Sequence, residues 1–349
     1  TKANQRVIGS KGNDTFVVMS QDVRLEDPNG GTDTVETSIS FSLANFSFIE
    51  RLTLTGTSNI NATGNNLANL ITGNAGNNLL SGGGGIDTLD GGAGNDTYIL
   101  NDTLDKIVEV SGSIGGTDTI QTTQTVFSMA AYANVENLSY TGTVVGVSFT
   151  GNSGDNTITG TSGADSLNGG SGADSLIGDE GDDTYFVDDS SDKIYEQSGN
   201  GADLVISAAT SYTLGNNVDN IILAGSSNIT AIGNALNNSL TGNSGNNSLD
   251  GGGGNDTIIG GGGADTFIGG AGNDLFITKG NEIVSSNGSS GIDTLWGYTN
   301  QTLASGVEVL QLFDVDSSLV PIYDPTTDIS DSALSSTTEI FTNGVAINS

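Results

Sequence analysis

Asp256, Asp265 and Asp274 stand nine residues apart in the run GGGGNDTII GGGGADTFI GGAGNDLFI, residues 251–277. Each follows a glycine-rich stretch and comes two positions before a large apolar residue: Ile258, Phe267 or Phe276. The glycines let the backbone reach φ > 0 in a tight turn. The residues after each aspartate alternate as a strand does, with the apolar one turned inward. If two nonapeptides close one coil, residues eighteen apart stack, and Asp256 neighbours Asp274. Carboxylates on successive turns, with turn carbonyls beside them, form an oxygen cage suited to a hard cation such as calcium. Aspartates that merely capped their turns would leave like charges stacked about one strand spacing, ~4.8 Å, apart, where they repel strongly.

The elements that must hold these acids recur along the chain. Glycine marks three ladders, at 56–91, 142–178 and 225–269, in steps of nine with two steps of eight. The sixth residue of each turn runs Asn69, Asn78, Asp87, Asp96 in the first ladder and Asn156, Asp165, Asp174, Asp183 in the second. In the third it runs Asn238, Asn247, Asp256, Asp265, Asp274. Early turns thus offer neutral amides and late turns offer carboxylates, so cation binding is expected at the C-terminal end of each ladder.

A longer repeat contains the ladders. GNDTFV at 12–17 returns as GNDTYI at 94–99, GDDTYF at 181–186 and GNDLFI at 272–277. A second marker stays in phase: SFIERLTL (47–54), NVENLSYT (134–141), NVDNIILA (217–224) and GVEVLQLF (306–313). The acids outside the ladders keep the same beat. Asp105 and Asp192 lie eighteen after Asp87 and Asp174, while Asp33, Asp118, Asp203 and Asp293 follow Asp14, Asp96, Asp183 and Asp274 by 19, 22, 20 and 19. The β-branched runs TDTV, TDTI, ADLV and IDTL around them read as strands, so the coil is expected to widen and continue where the glycine-rich motif stops. Residues 126–136, VFSMAAYANVE, have the best helical composition, but a bent connection between coils is the preferred reading. Arg24, Lys106 and Lys193, each ten after a repeated aspartate, read as surface ion-pair partners.

The 349 residues include 41 acidic, 8 basic, 53 Gly, no His and no Cys, for a formal net charge of −33. Such a chain repels itself and orders at high entropic cost without counter-ions. Nucleic acid is an unfavourable partner for a polyanion. Disulfides, histidine-based zinc sites and a Ser-His-Asp triad are excluded. No segment approaches the ~20 apolar residues of a membrane span, residues 1–8 do not read as a signal peptide, and the missing initiator Met suggests processing or a fragment. The adjacent pairs Asp182–Asp183 and Asp188–Asp189 suggest an acid–base couple, but one member belongs to the ladder and successive strand residues face opposite sides, so no catalytic residue is assigned. The glycine-rich loops lack the G-K-[S/T] of a phosphate loop.

The tandem motif G-G-x-G-x-D-x-U-x resembles the RTX, or hemolysin-type, calcium-binding repeat, at Gly82–Ile99, Gly160–Phe186 and Gly251–Ile277. The resemblance implies a parallel β-roll with several calcium ions between turns and export by a type I secretion machine. It also implies ligation by Asp87, Asp96, Asp165, Asp174, Asp183, Asp256, Asp265 and Asp274 with turn carbonyls. The continuing beat adds Asp14, Asp33, Asp105, Asp118, Asp192, Asp203 and Asp293. The longer unit is similar to repeats of bacterial surface-layer and fibril-forming RTX proteins.

The expectation is therefore an all-β, parallel β-solenoid over 1–313, with long repeats at about 12–93, 94–180, 181–271 and, in part, 272–313, followed by an acidic cap or tail at 314–349. Its expected role is a secreted, non-enzymatic, calcium-stiffened protein of an extracellular layer, fibril or filament at the cell surface. Expected partners are other copies of itself or cell-surface polysaccharide. The alternative is the calcium-binding and secretion region of a larger exoenzyme, toxin or adhesin.

Overall fold

The computed structural model describes residues 5–26, 30–100, 102, 104–109, 115–199, 201–278, 283–285 and 292–297, with strand segments at 302–303, 309–312, 339–342 and 345–347. Apart from the last two strands, the acidic segment 314–349 lies outside the described residues, as does Lys279. The described residues contain strands and turns and no helix. They group into two units, Thr1–Gly160 with Gly169–Asp174, and Thr161–Asn168 with Ser175–Ser349.

Each unit is a parallel β-solenoid. In the first, Thr15–Val18, Thr34–Thr37, Arg51–Leu54, Leu70–Thr72, Thr88–Asp90 and Lys106–Val108 pair in that order. The alternate strands, from Phe41–Ser42 to Thr157–Thr159, make a second parallel series. In the second unit one series runs from Ser166–Asn168 to Glu339–Thr342, ending on Val345–Ile347, its one antiparallel member among the described residues. The other runs from Ser211–Thr213 to Thr302–Leu303.

The inward position of each nonapeptide stacks on its neighbour and builds the core. Val35, Leu52, Ile71 and Leu89 pair successively, as do Leu80, Tyr98, Ile120, Leu138 and Ile158, and nearly all are fully buried. In the second unit Leu240, Ile258, Phe276 and Leu295 form such a column, and Phe267 stacks on Phe276 with ring centroids 6.2 Å apart. One inward residue per turn suffices because the column is continuous: each side chain covers the next.

The coil does continue beyond the glycine-rich motif. Thr257 pairs with Leu275, eighteen residues on, inside a ladder. Outside the ladders Thr15 pairs with Thr34, Thr97 with Thr119, Thr184 with Leu204 and Leu275 with Thr294. The strands keep their register, and the added residues go into the turns between them. The helix-like composition of 126–136 yields strand Val126–Ser128 and a turn in which the Tyr132 N–H bonds the Met129 carbonyl at 2.8 Å. Asn134 there has φ 66°, and Asn217 in the corresponding bend has φ 67°. A helix could not hand these apolar residues to the next coil in register, whereas the bend buries Met129 and Val135. Arg24, Lys106 and Lys193 are exposed strand residues.

Candidate metal centres

The ladder aspartates are held by backbone amides. Along the ladders the N–H of a sixth-position residue donates to a carboxylate oxygen one coil further on, as at the following turns. Asn69 donates to Asp87 and Asp87 to Asp105, at 2.7 and 2.9 Å. Asn78 donates to Asp96 and Asp96 to Asp118, both at 2.7 Å. Asn156 donates to Asp174 at 2.7 Å. In the second unit the same bond links Asp165 to Asp183 and Asp183 to Asp203, at 2.7 and 2.9 Å. It also links Asn238 to Asp256, Asp256 to Asp274 and Asp274 to Asp293, at 2.7, 2.9 and 2.9 Å. Asn247 donates to Asp265 at 2.8 Å, and Asp14 to Asp33 at 2.8 Å.

One oxygen of each carboxylate is thereby satisfied. The second oxygen, Oδ2, of Asp87, Asp96, Asp118, Asp183, Asp256 and Asp274 is buried and accepts no hydrogen bond. An orphaned charged oxygen inside a protein is costly. A glycine backbone lies directly beneath it: a methyl group on Gly82, Gly251 or Gly269 would collide with the Oδ2 of Asp87, Asp256 or Asp274. On Gly251 it would also meet the carbonyl oxygen of Gly269, one coil on. Carboxylate and carbonyl oxygens therefore line the same space, the donor set of a hard cation. Calcium fits: with the ion bound, these oxygens supply its ligands and the ion supplies the positive charge the interior lacks.

Other acids turn onto their own turns. Asp14 accepts from the Ser10 N–H and hydroxyl at 2.8 and 2.9 Å. Asp165 accepts from the Thr161 N–H and hydroxyl at 2.5 and 3.1 Å. Asp192 accepts from the amides of Asp188 and Asp189, both at 3.2 Å. Asp182, a candidate for acid–base chemistry, is exposed and accepts the Ala202 N–H at 2.9 Å.

The asparagine turns need no ion. The Asn69 amide donates to the carbonyls of Ile49 and Glu50, Asn156 to those of Val135 and Glu136, and Asn238 to those of Val218 and Asp219. Asn65, Asn152 and Asn234 share the Ile49, Val135 and Val218 carbonyls and each adds one more, of Phe46, Tyr132 and Gly215. The –NH2 group stands where a cation would otherwise gather carbonyl oxygens.

Three ladder members escaped the sequence reading. Glu50, Glu136 and Asp219 accept the amides of Asp33, Asp118 and Asp203 at 2.8, 2.8 and 2.9 Å. Each is the single acid of the in-phase second marker, and that constancy was the available signal. The corresponding Glu308 lies outside the described residues. A second ladder runs at the fifth position, where the side-chain oxygens of Asn77, Asn237, Asn255 and Asn246 accept amides of the next coil.

The family profile of the RTX calcium-binding nonapeptide repeat matches at 63–98, 150–185, 232–267 and 241–276. The chain carries RTX repeats. No curated protein matches it. RTX repeats imply calcium binding, and three of the matched segments end on the turns of Asp96, Asp183 and Asp274, whose Oδ2 atoms are orphaned. No helix among the described residues is long and apolar enough to cross a membrane.

Burial raises the metal-free carboxyls above their usual range, with amide hydrogen bonds opposing and neighbouring carboxylates adding. Asp87, Asp96 and Asp118 rise to about 6, and Asp183 and Asp256 to about 7. The unfolded chain holds these groups near the ordinary value of about 4. Between those limits the folded chain binds more protons, so metal-free stability falls as pH rises through 4 to 7. Freed of calcium on a chelating resin, the protein should gain β circular dichroism on acidification from pH 8 to pH 5. With calcium present, protons compete for the same oxygens, and the calcium midpoint should move to higher concentration over that acidification. A metal-free spectrum independent of pH would contradict the burial of these charges.

Proposed function

We propose that this RTX chain is a calcium-stiffened structural element of an extracellular layer or filament built from copies of itself. The observation that carries the reading is that coil and ladder account for the described residues. Coil strands, turn caps and the buried acid rows use nearly every side chain with distinctive chemistry. Of the acids considered for catalysis, Asp182, Asp183 and Asp189 are held by ladder or turn hydrogen bonds. Calcium is abundant outside cells, so a chain that depends on it orders there and not before export. Parallel coils present unsatisfied strand edges at their ends, the natural place for a second copy to add.

Sedimentation velocity and negative-stain microscopy of the purified protein test the reading. Millimolar calcium should convert it from a monomer of 35.2 kDa into sheets or filaments, and chelator should reverse the change. A folded monomer at every calcium and protein concentration would end the assembly proposal and favour the calcium-binding region of a larger exoprotein.

A further inference from the structure

Glu109 and Glu196 lie outside the sixth-position ladder, yet both reach it. Strand Lys106–Val108 pairs with Thr88–Asp90, Val108 opposite Asp90, which brings Glu109 beside Gly91. Strand Lys193–Glu196 pairs with Ser175–Asp179 through a register shift between Ile177 and Asp179. The shift leaves Gly178 in a bulge, gives Asp179 a φ of 81° and sets Glu196 opposite it. Such bulges re-aim side chains. Here the result is two matching trios. Carboxylate oxygens of Asp96, Glu109 and Asp118 lie within 4.8 Å of one another, and so do those of Asp183, Glu196 and Asp203.

Each trio has a buried tyrosine in an inward column position. The Tyr98 hydroxyl donates to Glu109 Oε1, and the Tyr185 hydroxyl to Glu196 Oε1. Both tyrosines are fully buried. The corresponding inward residues of the outer long repeats are Phe16 and Phe276, which have no hydroxyl to give. A methyl group on Gly91 would strike the Tyr98 hydroxyl, Asp96 Oδ2 and the Glu109 carboxylate; on Gly178 it would strike the Tyr185 hydroxyl, Asp183 Oδ2 and the Glu196 carboxylate. Both groups therefore converge over a bare stretch of backbone.

Within them, Oδ2 of Asp96 and of Asp118 is buried and accepts no hydrogen bond, and so are Asp183 Oδ2 and Glu196 Oε2. Asp96, Asp118 and Asp183 are each 1% exposed. In the second trio the carboxylates accept from the Asp165 and Asp183 amides and the Tyr185 hydroxyl, neutral donors that leave an excess of negative charge for a cation to offset. Three carboxylate oxygens gathered within 4.8 Å of one another are the donor type of a hard cation.

We propose that Asp96–Glu109–Asp118 and Asp183–Glu196–Asp203 each hold a further hard cation, with Tyr98 and Tyr185 orienting the glutamates. These centres differ from the nonapeptide cages. A third carboxylate arrives from another strand series in place of turn carbonyls, so the ion ties the irregular segment of the long repeat to its ladder. The inference rests on the calcium reading of the RTX turns, and the test separates the two.

Bound ions are counted by native mass spectrometry at saturating calcium, and terbium emission is excited through tyrosine. Glu109→Gln with Glu196→Gln should bind two ions fewer than the wild type while keeping its β spectrum in calcium. Tyr98→Phe with Tyr185→Phe should lower sensitised emission, because these rings lie against the glutamate ligands. If the glutamine variant does not fold, the phenylalanine variant decides by its emission. An unchanged ion count in the first variant, or unchanged emission in the second, overturns the two added centres and leaves the RTX sites standing. A wild type that binds no ions overturns both readings.

Discussion

In chelator at neutral pH the chain should give the circular dichroism of a disordered polypeptide, and millimolar calcium should restore a β spectrum. Opposing terms make this the largest effect expected of the molecule. A formal net charge of −33 and 53 glycines work against ordering, since fixing each residue costs about 1–2 kcal/mol. Against that, a ladder coil turns only one apolar side chain inward per nonapeptide. Two carboxylates one strand spacing apart, ~4.8 Å, repel by about 3 kcal/mol at an effective dielectric constant near 20. The row from Asp256 through Asp274 to Asp293 repeats that repulsion at successive coils.

Calcium removes the repulsion, and at a hundredfold excess over its dissociation constant each site adds about 2.7 kcal/mol to the folded state. A handful of sites then equals the whole stability of an ordinary domain, roughly 5–15 kcal/mol. Far-ultraviolet circular dichroism during a calcium titration, with small-angle scattering for size, reads the transition. A spectrum that stays the same from chelator to calcium would remove the physical basis of the cages.

Much of this was legible because the repeat is short and strict. The nonapeptide spacing places Ile258, Phe267 and Phe276 inside and Asp256, Asp265 and Asp274 on the turns, and the structure puts them there. The continuing coil was legible from Asp33, Asp118, Asp203 and Asp293, whose spacing tolerates added turn residues. The closing acids Glu50, Glu136 and Asp219 were harder to see, since they mix Glu with Asp and follow their partners at unequal intervals. Glu109 and Glu196 could not be placed at all from spacing. Their position depends on the register that an irregular strand adopts, and in one case on a bulge at Gly178. The asparagine turns carried a signal whose meaning only the structure supplies: an amide replaces the ion where the preceding coil presents carbonyls.

Replacing Asp256, Asp265 and Asp274 together by asparagine should change the sign of its effect with calcium. The substitution is nearly isosteric, so the inward column of Ile258, Phe267 and Phe276 is untouched. Each new side chain keeps an oxygen to accept the amide of the preceding coil, as Asp256 does from Asn238 at 2.7 Å. At position 256 its nitrogen can take the place of the orphaned Oδ2, beside the carbonyl of Gly269, and donate where the carboxylate could not. Metal-free, the variant sheds buried charge whose cost is visible in the raised Asp256 and Asp274 carboxyls, so it should keep more β signal in chelator than the wild type. In saturating calcium it lacks the ligands and forgoes about 2–3 kcal/mol for each lost site. At about 2–4 °C per kcal/mol, its melting temperature should then fall below the wild type by on the order of 10 °C or more. Thermal melts followed at the β band, with and without calcium, decide the matter. A variant less ordered than the wild type in both conditions would mean that these aspartates act as turn caps, with no special claim on a cation.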